Sequence, residues 1–239
     1  MRFQHAAQLR ADFPELVAGV VAATGTTPDA DTTDAVARHT ATATARLATV
    51  ATPSGFAEVQ AWRRAFTRLG LRPTQYRCAS EALLRRFARE GALPRIHPLV
   101  DLCNAVSLAT ALPVAVLDLD RVTGDLVVRR ATGQEVYLGF DGATEHPQPG
   151  EVTYADDAGR AHARRWTNRQ SGHSAVRDAT SCVLIVVEGL HATALADVTA
   201  ATTLIAEELA AHWSLDPISA VLHGDGPTAL DLRSAITAR

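Results

Sequence analysis

Apolar positions recur along this chain with two different periods, and the change of period divides it. Thr33 to Val50 and Phe56 to Leu69 carry the three-to-four spacing of helices. In the second, Phe56, Val59, Trp62 and Phe66 fall on one face, as core packing requires, and Gly70 ends it. A third helix is expected to begin at Ser80, whose hydroxyl can cap free N–H groups, and to stop at Gly91. Leu99, Leu102, Cys103 and Val106 continue the helical spacing, with Asp101, Asn104 and Ser107 on another face. Pro94 and Pro98 hold the entry extended.

From Pro113 to Leu190 the period shortens to that of strands: Val114–Leu117, Leu126–Arg130, Glu135–Leu138, Glu151–Ala155, Ala161–Trp166 and Cys182–Glu188. Val114–Leu117 suits a strand covered on both faces, leading to Asp118 and Asp120. Gly124, Gly133, Asp141-Gly142, Pro147 to Gly150 and Asp157 to Gly159 supply the turns. Helical spacing returns over Ala194–His212, and Asp216-Pro217 breaks it before an edge strand at Ile218–Leu222. At the other end, Arg2–His5 reads as a short edge strand and Leu16–Ala23 as an apolar strand. The chain divides into a single domain over 1–225, with a helical portion at 30–70, and a tail at 226–239 in which Ala229–Leu232 could pair locally.

Of 239 residues, 47% are hydrophobic and 21% charged, a globular balance with ample core material. No apolar stretch approaches a membrane span, and the start lacks a signal-peptide core, so a cytoplasmic protein with no membrane partner is expected. The three cysteines, Cys78, Cys103 and Cys182, are far apart in apolar contexts and read as buried reduced thiols. His146, His162, His173, His191, His212 and His223 show no metal spacing and read as surface residues, so neither metal nor cofactor is expected. No Ser-His-Asp arrangement is recognisable. The net charge of −3 gives no global attraction to nucleic acid. The chain contains no lysine, which excludes a Schiff-base lysine and a phosphate-loop lysine. Clustered arginines can still make bidentate phosphate contacts.

One ordered series of motifs points further. Ile96-His97-Pro98-Leu99-Val100-Asp101, Asn104, Pro113 and Asp118 come first. Arg121-Val122, Gly124-Asp125-Leu126, Gly150-Glu151-Val152 and Tyr154-Ala155-Asp156-Asp157 follow. Arg165 to Ser171, Thr180 and Val187-Glu188-Gly189-Leu190 complete it, with Tyr76-Arg77 and Ser80 to Arg86 upstream. The series, over 76–190, resembles the tRNA-editing domain of the bacterial phenylalanyl-tRNA synthetase beta chain (the B3/B4 tRNA-binding family), and more closely its free-standing relatives. The resemblance implies an α+β fold: three layers, with an antiparallel-rich beta-sandwich of unusual topology flanked by helices. It implies a trans-editing deacylase that hydrolyses the ester of a mischarged amino acid, with the tRNA 3′ end and an amino acid or similar small molecule as partners. The alternative is a non-catalytic module that keeps the fold and binds the amino acid or the tRNA end. Ala115 stands where the family commonly has histidine, and Gly172 where it tends to have glutamate, so the identity of the rejected amino acid is not transferred.

An aminoacyl ester is already activated, so fixing a water and the carbonyl in near-attack geometry suffices, and no strong nucleophile is needed. His97, placed where the motif usually has asparagine, can donate a hydrogen bond or take a proton, or can simply cap a helix. Asn104 lies on the helix that follows, where Asp101 reads as a tether for the loop. Asp118 is expected to pair with an arginine or cap a turn. The run Arg164 to Ser171 can bind phosphate and stack a base around Trp166, or can pack Trp166 inward beneath solvated arginines. The resemblance favours a pocket edge made of Asn168, Arg169, Gln170 and Ser171, with Arg77, Arg164 and Arg165 toward tRNA. Glu188 ends an apolar strand and must be paired or face a cavity, there to orient water or bind an amine. Asp156 and Thr180 complete the candidate substrate contacts, each with a turn or strand-end role as the plainer option. His97, Glu188 and Asn168 are thus the catalytic candidates, expected to converge with the others on one hollow.

Overall fold

The computed structural model describes residues 1–232. In chain order the strands are β1 Arg2–His5, β2 Val17–Thr24, β3 Val114–Asp118, β4 Leu126–Arg130, β5 Val136–Leu138, β6 Thr144–Glu145, β7 Val152–Ala155, β8 Arg160–Ala161, β9 Ala163–Arg164, β10 Arg169–Gln170, β11 Cys182–Gly189, β12 Ile218–Leu222 and β13 Ala229–Asp231. The helices are α1 Ala7–Asp12, α2 Thr33–Leu47, α3 Ala57–Arg68, α4 Ala79–Glu90, α5 Pro98–Thr110 and α6 Ala194–Trp213.

Two sheets dominate. One is an antiparallel four-stranded sheet in the order β12-β2-β11-β3, and the other a mixed seven-stranded sheet in the order β13-β1-β4-β7-β8-β5-β6. Their layering follows from the alternation of side chains along β11. Cys182, Leu184 and Val186 pack with Phe3, Val128 and Tyr154 of the larger sheet. Val183, Ile185 and Val187 pack with Leu99 and Val106 of α5 and Val198 and Ile205 of α6. Burial on both faces is why β2 and β11 read as unbroken apolar runs. Glu188 has the parity of Leu184 and Val186, so it must point between the sheets. A third cluster joins Phe56, Val59, Leu84, Phe87 and Leu108 of the helical region. The architecture is α+β, in layers of sheet, sheet and helices.

Several local expectations are corrected. β1 is no edge strand, because β13 pairs on one side of it and β4 on the other. Residues 229–231 therefore belong to the sheet and not to a tail, while 233–239 lie outside the described residues. The N-cap of α4 is Cys78, and the Ser80 side chain is buried within the first turn. The expected strand Ala161–Trp166 is two short pieces followed by a left-handed turn, with φ of 49° at Arg165 and 59° at Trp166.

The contact between β2 and α6 depends on a missing side chain. A Cβ at Gly19 would lie 1.8 Å from Thr202 Oγ1 and 3.0 Å from Val198 Cγ1, both buried side chains of α6. Gly19→Ala is expected to lower unfolding free energy by about 2–3 kcal/mol through overpacking, as measured by urea denaturation. Near-unchanged stability would show that α6 is not held this close to the sheet.

Candidate functional site

Glu188 is 1% exposed at the end of β11, and its carboxylate gathers donors from three other elements. His5 Nε2 of β1 stands 2.7 Å from Oε1, Trp166 Nε1 donates to the same oxygen at 2.9 Å, and the Tyr154 hydroxyl of β7 donates to Oε2 at 2.5 Å. An ionised carboxylate only accepts, which assigns the His5 proton to Nε2. Burial, and then the adjacent carboxylate, push the Tyr154 phenol well above its ordinary range, so it stays a donor. The arrangement uses Glu188 to hold other groups in place.

Trp166 reaches Glu188 because the chain reverses through the two left-handed residues, a backbone state that non-glycine residues adopt at a cost of about 1–3 kcal/mol each. The Trp166 N–H to Val152 carbonyl bond (2.7 Å) and the Glu151 carboxylate on Arg165 N–H (2.9 Å) fix the turn. Edge contacts with Trp62 (4.9 Å) and Phe13 (5.0 Å) hold the indole in the core.

Beside this turn lies a cavity of about 60 Å³, room for a few waters or a small side chain. Glu188, Tyr154 and Trp166 border it inside, Val114 and Ala115 of β3 form a wall, and residues 167–170 form the rim. Those β3 residues are half-buried, not covered, because β3 is the edge of its sheet; of the two, Ala115 has the parity that faces the larger sheet, while Val114 packs toward the helices. Thr167 contributes a hydroxyl that is buried with no partner. Asn168 donates to the Arg77 carbonyl (2.7 Å) and Gln170 to the Val116 carbonyl (2.6 Å), which points their amides and leaves both side-chain carbonyl oxygens without a donor among the described residues. The same short run borders two further hollows. Asn168 also edges a groove of about 690 Å³ that carries Arg77, Arg85, Arg86 and Arg89. Arg169 and Gln170 edge a shallow hollow of about 370 Å³ with Tyr137, Phe140 and Asp141.

The candidates therefore separate. Glu188, Asn168, Trp166, Arg169 and Gln170 come together at the cavity. His97 does not. It is the N-cap of α5, accepting the Leu99 N–H on Nδ1 (3.2 Å), and the 13-residue helix sets it about 20 Å along the axis from Pro113 at the cavity. Burial lowers its pKa. Asn104 lines a different hollow with Arg95 and Asp101, and Asp101 accepts the Ile96 N–H (2.9 Å) as a loop tether. Asp118 caps the turn after β3 and receives the Thr180 hydroxyl (2.8 Å), so Thr180 serves that turn. Ser171 is buried and donates to the Leu138 carbonyl (2.9 Å). Arg164 is 3% exposed and forks onto Glu151 at 2.8 and 2.9 Å, with Glu145 also bound, so it offers nothing to a phosphate. Arg165 stacks over Tyr76, with its guanidinium carbon 4.5 Å from the ring centre.

Asp156 is a turn residue, accepting N–H groups from Thr123, Ala158 and Arg160 at 2.8–3.0 Å. His162, expected at the surface, is 0% exposed and borders the cavity. Its Nδ1 lies 2.8 Å from Ser174 Oγ and its Nε2 is 3.4 Å from Asp156. Ser174, His162 and Asp156 are thus neighbours, a grouping invisible in spacing, although His162 Nε2 makes no hydrogen bond. Ser174 is fully buried and does not border the cavity, so it orients the His162 ring and supplies no nucleophile. His191, also expected outside, is buried against Asp197 (2.8 Å). His5 carries no signal beyond its strand, and Thr167 lies inside the Arg164–Ser171 run with nothing in the sequence to distinguish it. Among the described residues no cluster of three or more His, Cys, Asp or Glu could hold a metal. The cysteines are free and buried, with burial pushing Cys78 up to about 11 and Cys103 to about 12.

A family model for the B3/4 domain matches residues 61–210. This chain belongs to the B3/4 domain family. It is 39% identical over 79 residues to the phenylalanine–tRNA ligase beta subunit of Bradyrhizobium diazoefficiens, covering 33% of this chain and 10% of that protein. With the beta subunit of Cutibacterium acnes it shares 31% over 106 residues, 44% of this chain and 12% of the relative. This B3/4 chain thus matches only about a tenth of the length of those relatives. A crystal structure of an N-terminal fragment of the phenylalanyl-tRNA synthetase beta subunit from Pyrococcus horikoshii superposes with a TM-score of 0.49 at 9% identity, covering 93% of this chain and 54% of that one. No helix among the described residues of this B3/4 chain is long and apolar enough to cross a membrane.

Acid should act on the B3/4 core through Asp156. Burial alone would raise its pKa, but the contact with His162 and the N–H groups of Thr123 and Arg160 hold it at about 2. A depressed carboxylate contributes stability that is fully present above its ordinary value of 3.8 and is lost as pH falls toward 2. Asp156→Asn is expected to flatten stability against pH across that window, measured by urea unfolding at successive pH values. An unchanged slope would remove Asp156 as a source of acid lability.

Proposed function

We propose that this chain is an aminoacyl-tRNA deacylase that cleaves the ester between an amino acid and the 3′-terminal ribose. The amino acid occupies the Glu188 cavity, and the phosphates of the strand follow the arginine groove. The observation that carries this reading is the shared border: Asn168 edges both the cavity and the groove. A substrate with a small head on a polyanionic strand fits such a juxtaposition. All four arginines are paired, Arg77 and Arg85 with Glu81 (3.8 and 2.9 Å) and Arg86 and Arg89 with Glu90 (2.8 and 2.6 Å), and four cations on two carboxylates leave the groove net positive. Similarity to tRNA-ligase beta subunits supports the same partner class. A charged tRNA as substrate puts the reaction in the cytoplasm.

Water is held by the Thr167 hydroxyl and the side-chain carbonyl oxygens of Asn168 and Gln170. Glu188 acts as a positioning residue, since its three donors leave it little capacity to accept a proton from water. The water oxygen bonds to the ester carbon, the bond to the ribose oxygen breaks, and the water's proton passes to that departing oxygen, giving free amino acid and a ribose hydroxyl. Orientation of an activated ester and a water supplies several kcal/mol of barrier reduction, enough for this modest chemistry.

The decisive experiment incubates the purified protein with a panel of mischarged tRNAs. Release of at least one amino acid faster than buffer is expected, with Asn168→Ala and Thr167→Val each lowering the single-turnover rate about 10- to 100-fold while the fold persists. No release from any member of the panel would overturn the assignment. A ligand that raises Tm without hydrolysis would then support the binding-module reading.

A further inference from the structure

Phe140 is 74% exposed at the tip of the β5–β6 turn, although the turn itself is firmly seated. Gly139 N–H donates to the Ala143 carbonyl (2.8 Å), the Gly172 N–H donates to the Leu138 carbonyl (2.8 Å), and Ser171 Oγ donates to the same oxygen (2.9 Å). The turn can lie this close only because Gly172 lacks a side chain: a Cβ there would sit 3.1 Å from the Gly139 carbonyl and 3.5 Å from Phe140 Cα. The ring is therefore held outward by a fixed backbone. In the same hollow are Tyr137, Asp141 and Arg169, whose guanidinium carbon lies 5.3 Å from the Tyr137 ring centre and whose Nη1 donates to Glu145 at 3.2 Å, which leaves the flat face of the guanidinium for stacking. The other large exposed apolar residues, Ile96 and Leu195, lie just before α5 and in α6, so no continuous apolar patch of the kind proteins bind surrounds Phe140.

We propose that Phe140, with Arg169 beside it, is a stacking shelf for the terminal base of the bound strand. This deepens the deacylase reading and rests on it. An aromatic face next to a guanidinium suits a nucleobase, which stacks on the ring and on the cation, irrespective of its hydrogen-bonding edge. The position fits the same occupant. Arg169 and Gln170 border both shelf and cavity, and Asn168 borders both cavity and arginine groove. A strand end with its phosphates in the groove and its terminal ester at the cavity carries its last base to the shelf.

The test uses a cytidine–cytidine–2-aminopurine trinucleotide, whose fluorescence is quenched when the last base stacks, and needs no ester. The wild-type protein is expected to quench and bind it. Phe140→Ala should raise Kd about tenfold and abolish the quenching, whereas Phe140→Trp should retain both. Because the side chain is exposed, Tm should not change in either variant, and the loss is then one of stacking. Equal binding and quenching by wild type and Phe140→Ala, or no binding by wild type, overturns the shelf. Binding that depends on Phe140 in a protein that releases no amino acid sinks the hydrolysis alone. Hydrolysis without any dependence on Phe140 sinks the shelf alone.

Discussion

The Glu188 carboxylate fastens the two sheets to each other. It belongs to β11 of the smaller sheet, and its donors come from β1 and β7 of the larger one and from the Trp166 turn. Buried polar groups are costly unless paired, and here His5 Nε2, the Tyr154 hydroxyl and the Trp166 N–H all meet the same carboxylate, with His5 Nδ1 left over. A network of this kind fixes more than stability. With Glu188 on β11 and the indole on Glu188, the backbone between Arg165 and Gln170 has little freedom in where it lies.

That constraint makes the rim of the cavity. The left-handed pair at Arg165 and Trp166 is an unfavourable local state, offset by the indole's burial against Trp62 and Phe13 and by the Glu151 carboxylate on the turn. Immediately beyond it, Thr167, Asn168, Arg169 and Gln170 present a hydroxyl, two amides and a guanidinium around a small space. Arg164, one step earlier, is wholly consumed by Glu145 and Glu151. In a single run of basic and polar residues, β9 and the Trp166 turn are buried, and the residues that follow, 167–170, reach the surface of the cavity.

Much of the fold was legible in the pattern of residues. The apolar runs of β2 and β11, the four longer helices in the first half and α6 follow from periodicity, and β4 and β12 fall where alternation puts them. The parity of Glu188 along β11 was readable too, and with it a paired or cavity-facing carboxylate. What failed did so for long-range reasons. β1 seemed an edge because its partner β13 lies at the other end of the chain. His97 seemed close to the site because motif order says nothing of helix length, and α5 carries it away. His5 meets Glu188 across the two sheets, Ser174, His162 and Asp156 come together from separate short strands and turns, and the Thr167 hydroxyl follows a left-handed turn made without glycine, so no local spacing announced these contacts.

The role of Glu188 as a fastening between sheets is tested most directly by equilibrium unfolding of Glu188→Ala. Removing the carboxylate leaves His5, Tyr154 and Trp166 buried without their acceptor, and a loss of about 3–5 kcal/mol is expected. A change below about 1 kcal/mol would contradict the account, because the sheets and the Trp166 turn would then be held together by something else.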